Sequence, residues 1–155
     1  MISMINEMAE MQKKLDAAIL AEFKNVEFDK ARWKIAILAE IGELTQEIKG
    51  GWCWWMKHPK EIHRDKVLEE LVDVWHFVLS YHNNVYPTKV YDIIYERHVE
   101  RCYPSYIEVV TLLLEFPSLE AMVVLSSHLG FEIKDVYDAY IKKNKVNYER
   151  LSNQY

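Results

Sequence analysis

Glu69-Glu70-Leu71-Val72-Asp73-Val74-Trp75-His76-Phe77-Val78-Leu79 is the stretch that decides the fold. Together with Val67, residues Leu71, Val74 and Val78 recur at spacings of three and four, the period of a helix face, which predicts a helix from Pro59 to about His82. The same period continues on both sides. Ile5, Met8, Met11, Leu15 and Ile19 predict a helix over Ile5 to Phe23, and Ile37, Ile41, Leu44 and Ile48 predict one from near Asp29 to Lys49, ended by Gly50-Gly51. Shorter helices are expected near Lys89 to Arg101, Ser105 to Glu115 and Ser118 to Leu129, punctuated by Pro104, Pro117 and Gly130. A last one opens after Phe131 and passes through Val136 and Tyr140. No alternating strand pattern of useful length is present. The class expected is therefore all-α, a bundle of six or seven helices.

The chain has 155 residues, half of them hydrophobic, with four Gly and four Pro. That describes one packed domain, expected here over 1–155, with core helices at about 3–83 and 131–152 and a helical insert at about 84–130. A net charge of -5 gives no cationic footprint for a phosphate backbone, so nucleic acid is not an expected partner. The longest apolar run, Ile107 to Leu114, is broken by Glu108 and falls far short of the ~20 residues of a membrane span. Cys53 and Cys102 are expected to be reduced, and the protein to be cytoplasmic.

Chemistry concentrates in two acidic pairs. Glu40/Glu43 and Glu70/Asp73 each have a three-residue spacing, which puts both carboxylates of a pair on one helix face. Glu7/Glu10 and Glu132/Asp135 share that spacing in this acidic chain, so the spacing alone identifies nothing. What separates the first two pairs is apolar context. Asp73 is the only formal anion between Leu71 and Leu79, and Glu40 lies within Ile35-Ala36-Ile37-Leu38-Ala39-Glu40-Ile41. A carboxylate drawn out of water must be protonated, ion-paired or metal-bound. Lys34, Lys66 and Arg64 are candidate ion-pair partners; a hard cation, Mg²⁺ or in its place Mn²⁺, is the other solution, since the donors are all oxygen. A di-iron centre fits less well: Asp73/His76 has its spacing, but the helix carrying Glu40 has no histidine to match.

The order Glu-x-x-Glu then Glu-x-x-Asp resembles that of the all-α nucleoside triphosphate pyrophosphatases, the superfamily of MazG-like enzymes and dimeric dUTPases. Three more stretches bring the chain close to the dimeric dUTPases: the aromatic turn Trp52-Cys53-Trp54-Trp55 after the first pair, His76-Phe77 in the second motif, and Lys143-Asn144-Lys145-Val146-Asn147-Tyr148-Glu149-Arg150 near the end. Met11-Gln12 to Leu15-Asp16 is similar to the family's first motif. The resemblance implies a homodimer in which Mg²⁺ bridges Glu40, Glu43, Glu70 and Asp73 to a pyrimidine deoxynucleoside triphosphate. Hydrolysis to the monophosphate and pyrophosphate follows, with Glu40 or Glu43 orienting or deprotonating the water. Carried over residue by residue, Trp52, His76, Phe77 and Asn147 contact base or sugar, Lys143, Arg150 and Tyr155 hold phosphates, and Gln12 and Asp16 of the first motif bind substrate. The chain departs from the family in having Cys53 where lysine is common, leaving Lys49 or Lys57 to replace that contact, and in lacking the usual glycine before its final tyrosine. Related phage enzymes with similar motifs act on dCTP as well as dUTP. A broader MazG-like pyrophosphatase and a nucleotide-binding pseudoenzyme are the competing expectations.

Overall fold

The computed structural model describes residues 1–23, 27–87 and 91–153, which contain eight helices and no strand. They are α1 (Ile2–Glu22), α2 (Lys30–Glu47), α3 (Lys49–Trp52), α4 (Arg64–Val85), α5 (Ile93–Cys102), α6 (Tyr106–Glu115), α7 (Leu119–His128) and α8 (Ile133–Ser152). Polar side chains start several of them as the sequence suggests. Asp29 accepts from the backbone N–H of Ala31, Ser118 from that of Ala121, and Ser105 forms a reciprocal capping box with Glu108. Gly130, at φ 79°, supplies the left-handed residue after α7 that a side chain would resist.

Two boundaries differ from expectation, and one contact explains both. Gly50 and Gly51 do not end a helix; they sit in α3, the element that takes the count above seven. A Cβ on Gly50 would lie only 2.2 Å from the carbonyl oxygen of Lys60, and one on Gly51 2.6 Å from the Tyr106 hydroxyl. The glycines therefore permit close approach of Tyr106 from α6 and of the segment that follows α3, and that segment, crossing α3 at Lys60, is not helical. Helix α4 begins at Arg64 rather than Pro59. Arg64 then ties this end of α4 to the α7–α8 turn, donating to the Gly130 carbonyl at 2.7 Å and stacking 4.1 Å from the Phe131 ring centroid.

Helix α4 is the axis of the bundle, with eleven buried residues from Val67 to His82. Its apolar stripe Val67, Leu71, Val74 and Val78 is buried as the periodicity requires, and so is Ile37-Ile41-Leu44-Ile48 on α2. Trp75, fully buried, donates its indole N–H to Ser126 Oγ at 3.1 Å, which fixes α7 on the opposite side. Tyr137 bonds Glu7 and Tyr140 bonds Gln12, so α1 and α8 run parallel, whereas Asn83 reaching back to the Ala9 carbonyl makes α4 antiparallel to α1. Among the described residues no helix is long and apolar enough to cross a membrane.

Because Leu71 is fully buried on α4, Leu71→Ala is expected to cost about 2–5 kcal/mol of unfolding free energy, read by urea denaturation. A loss below 1 kcal/mol, on the order of a surface change, would contradict the placement of α4 at the centre.

Candidate active site

Helices α1, α2, α4 and α8 enclose a cleft of about 610 Å³, within the usual range for a small-molecule site. Its two ends differ in chemistry. At one, α2 contributes Glu40 and Glu43, α4 contributes Glu69, Glu70 and Asp73, and α8 contributes Lys143, Asn147 and Arg150. The helical spacings explain this convergence: each acidic pair spans one turn, and Lys143, Asn147 and Arg150 repeat at four and three along α8.

Glu40, Glu43 and Glu70 each place a carboxylate oxygen within 4.8 Å of the others. Asp73 is not part of that cluster. Its Oδ2 accepts from Lys143 Nζ at 2.6 Å, and both side chains are only 19% exposed. None of Lys34, Lys66 and Arg64, the ion-pair partners suggested by sequence, performs this task. Lys34 donates to the Glu115 carbonyl, Lys66 pairs with Glu69, and Arg64 faces Gly130 and Asp135.

Crowding of like charge is visible in the proton affinities. Burial first, then the charges of Asp73, Glu43 and Glu70, push the Glu40 carboxyl up to about 7, with Lys143 opposing. Glu70 and Asp73 are also raised, burial again being the largest cause in each. At Asp73 desolvation outweighs the ammonium beside it. Two like charges about 4 Å apart repel by roughly 4 kcal/mol at an effective dielectric near 20, so this end of the cleft favours a bound cation.

The other end is apolar and aromatic, walled by Leu15, Ile19, Leu20, Phe28, Trp33 and Phe77. Beneath it lies a polar network. Gln12, 4% exposed, donates from Nε2 to Asp16 Oδ1 at 2.7 Å, which leaves its Oε1 to accept from His76 Nδ1 and the Tyr140 hydroxyl, each at 2.8 Å. His76 stacks on Tyr140 with ring centroids 4.1 Å apart. With its proton on Nδ1, the imidazole keeps an acceptor at Nε2, and neither that atom nor Asp16 Oδ2 has a hydrogen-bond partner. Both polar groups of Gln12 are thus engaged within the protein, with His76 and Tyr140 bonded to one and Asp16 to the other.

Gln12, Asp16, Glu40, Glu43, Glu70, Asp73, His76, Phe77, Lys143, Asn147 and Arg150 thus line one cleft, as the sequence predicts. Trp52 is not brought there: its indole donates to the Thr45 carbonyl at 2.8 Å, and its ring meets Trp55 edge-on, beside Tyr106 and Ile107. Tyr155 lies outside the described residues. Cys53 is buried in the turn, and neither Lys49 nor Lys57 lines the cleft. Sequence reasoning missed Phe28, Trp33, Glu69, Ser80 and Asn84. A signal for Ser80 was present, since Asp73, His76 and Ser80 repeat at three and four along α4; its hydroxyl accepts from Trp33 Nε1 at 2.6 Å.

The profile of a dUTPase family matches residues 4–155. The chain belongs to the all-α dUTPase family. No curated protein matches the chain. As a member of that family this dUTPase-type chain is a nucleoside triphosphate hydrolase with a nucleotide substrate, and its cleft has a charged end and an apolar end suited to the two halves of a nucleotide.

Burial lowers the His76 pKa from 6.5 to about 3, so the folded protein holds this imidazole neutral. Its unfolded form binds a proton that the folded form refuses between those values. The resulting contribution to stability is complete above pH 6.5 and is lost as pH falls toward 3. The stability of the metal-free protein relative to His76→Gln is therefore expected to decline between pH 7 and pH 4 in paired urea titrations. A pH-independent difference would contradict a neutral, buried His76.

Proposed function

We propose that this chain hydrolyses a pyrimidine deoxynucleoside triphosphate, with dUTP the leading substrate, to the monophosphate and pyrophosphate with the aid of Mg²⁺. The observation that carries the reading is the convergence of Glu40, Glu43 and Glu70 at one end of a cleft whose other end is aromatic. The donor set fits a hard cation: all ligands are carboxylate oxygens, they are gathered from two helices, and the Glu40 carboxyl is raised first by burial and then by the acids around it. When bound, Mg²⁺ supplies positive charge that neutralises the triphosphate and the charge developing on the leaving pyrophosphate.

The remaining work falls to side chains of this chain. Lys143 and Arg150 hold phosphate oxygens, and Phe77 with Trp33 and Phe28 excludes water from the base and sugar. Asn147, whose amide both donates and accepts, contacts the nucleoside. Glu40 or Glu43 takes a proton from the water whose oxygen forms the new bond to phosphorus as the α–β phosphoanhydride breaks. Hydrolysis of dCTP is the second reading, favoured by Asp16, a cleft carboxylate that can accept from the amino group of cytosine.

A homodimer accompanies this reading. The outer faces of α2 and α6, joined by the Lys34 bond to the Glu115 carbonyl, expose Ile35 (65%), Leu38, Ile107, Leu114 and Phe116 (63%). Apolar residues gathered in this way suit a second copy of the chain better than water. Leu38→Glu is expected to shift the protein to monomer in light scattering, and an unchanged mass would move the interface elsewhere.

The function is tested by pyrophosphate release from dUTP, dCTP and dATP with Mg²⁺. Turnover of a pyrimidine substrate well above dATP is expected, and Glu43→Gln should lower kcat/KM by about 100-fold or more with helical content unchanged. Comparable turnover of dATP would favour a broad MazG-like pyrophosphatase. A protein that releases nothing and gains no thermal stability from Mg²⁺ plus a non-hydrolysable analogue would not be a nucleotide enzyme at all.

A further inference from the structure

Lys143 occupies a position that a simple phosphate-holding residue would leave open. Its ammonium lies 2.6 Å from Asp73 Oδ2, in a half-closed site, across 70 residues of sequence. Its charge also acts on Glu40, Glu69 and Glu70. Among the described residues lining the cleft only Arg150 is a second Lys or Arg, against five carboxylates at this end, and of those Glu69 already has Lys66 at 2.9 Å. The nucleotide-free fold is thus balanced by a cation of its own, placed beside the acidic cluster and bonded to the carboxylate that the cluster lacks.

We propose that Lys143 is a displaceable internal counter-cation, so that Asp73 joins Glu40, Glu43 and Glu70 around a divalent cation only when a triphosphate draws Lys143 away. The inference rests on the metal-dependent reading of the site given above. Three constraints lead to it. A divalent cation bonded to Asp73 Oδ2 would stand next to an ammonium already bonded to the same oxygen, and the two positive charges repel. Lysine is a point charge on a flexible four-carbon stem, able to exchange one anionic oxygen for another in a way that a planar, bidentate arginine is not. Asp73 follows Glu70 by one helical turn, so once released its carboxylate is on the face that carries the cluster.

A triphosphate entering this end meets Lys143 on the α8 face that also carries Asn147 and Arg150. Transfer of the ammonium from Asp73 to a phosphate oxygen removes the obstacle to the cation and frees a fourth acid in the same event. Cation and nucleotide then raise each other's affinity by one and the same factor, as linkage requires. In the absence of nucleotide the site holds a cation weakly.

The experiment is Mn²⁺ binding, by calorimetry or electron paramagnetic resonance, to the full-length nucleotide-free protein. Wild type, Lys143→Met, Asp73→Asn and the double variant are compared, with the exposed neighbour Lys142→Met as a charge control and Lys143→Gln as a second variant should the methionine form fold poorly. Lys143→Met is expected to bind Mn²⁺ about tenfold more tightly than wild type, Asp73→Asn alone to change little, and the double variant to return to the wild-type level. A non-hydrolysable dUTP analogue should tighten Mn²⁺ binding by a larger factor in wild type than in Lys143→Met, where only direct phosphate contact with the cation remains. The proposal is overturned if removing Lys143 leaves Mn²⁺ affinity unchanged, if Lys142→Met gives the same gain, or if the gain survives in the double variant. Failure of every protein to bind Mn²⁺, with or without the analogue, would instead remove the metal reading of the site and this inference with it.

Discussion

Negative charge held against an apolar core is the constraint on which the rest of this structure depends. Helices α2 and α4 pack through their aliphatic stripes, and the same packing brings the half-buried Glu40 and the exposed Glu43 up to Glu70. Like charges so placed destabilise the bundle unless something positive is supplied. Lys143 on α8 provides part of the compensation, which makes the position of the last helix an electrostatic matter as well as a hydrophobic one. Burial and repulsion together leave the Glu40 carboxyl near 7, far from an ordinary surface glutamate. A fold stabilised only by packing would have little reason to retain such a cluster.

The other end of the cleft is ordered by different means. There the constraint is a buried amide, Gln12, whose orientation is set by Asp16 and which in turn sets the tautomer of His76 and the direction of the Tyr140 hydroxyl. Networks of this kind are rigid when fully satisfied, and this one leaves Asp16 Oδ2 and His76 Nε2 open. Both residues line the cleft. Charge at one end and fixed polar atoms under an aromatic wall at the other give the site a direction, which suits a ligand with a phosphate tail and a flat head.

Much of this was legible in the sequence because helical periodicity is a local property. The stripes on α1, α2 and α4, the helix starts near Asp29, Ser105 and Ser118, and the one-turn spacing of both acidic pairs need only neighbouring residues to be read. The apolar surroundings of Asp73 correctly signalled a carboxylate requiring compensation, but its partner came from 70 residues away, and no local pattern reveals that. The same limit explains Gly50-Gly51, read as a helix end when the backbone of Lys60 and the Tyr106 hydroxyl require the missing side chains. Trp52 lies away from this cleft for a related reason: an aromatic turn after the first acidic pair says that rings are needed, not which surface they cover. His76 and Gln12 were assigned to substrate separately, and only the fold joins them into one network.

The most direct measurement is the position of Mn²⁺ in crystals grown with a non-hydrolysable dUTP analogue, located by anomalous scattering. The expected peak lies among Glu40, Glu43, Glu70 and Asp73, in contact with the phosphate chain, with the base between Phe77 and Trp33. An ion bound elsewhere, or a triphosphate seated outside the cleft between α1, α2, α4 and α8, would contradict the assignment of this site.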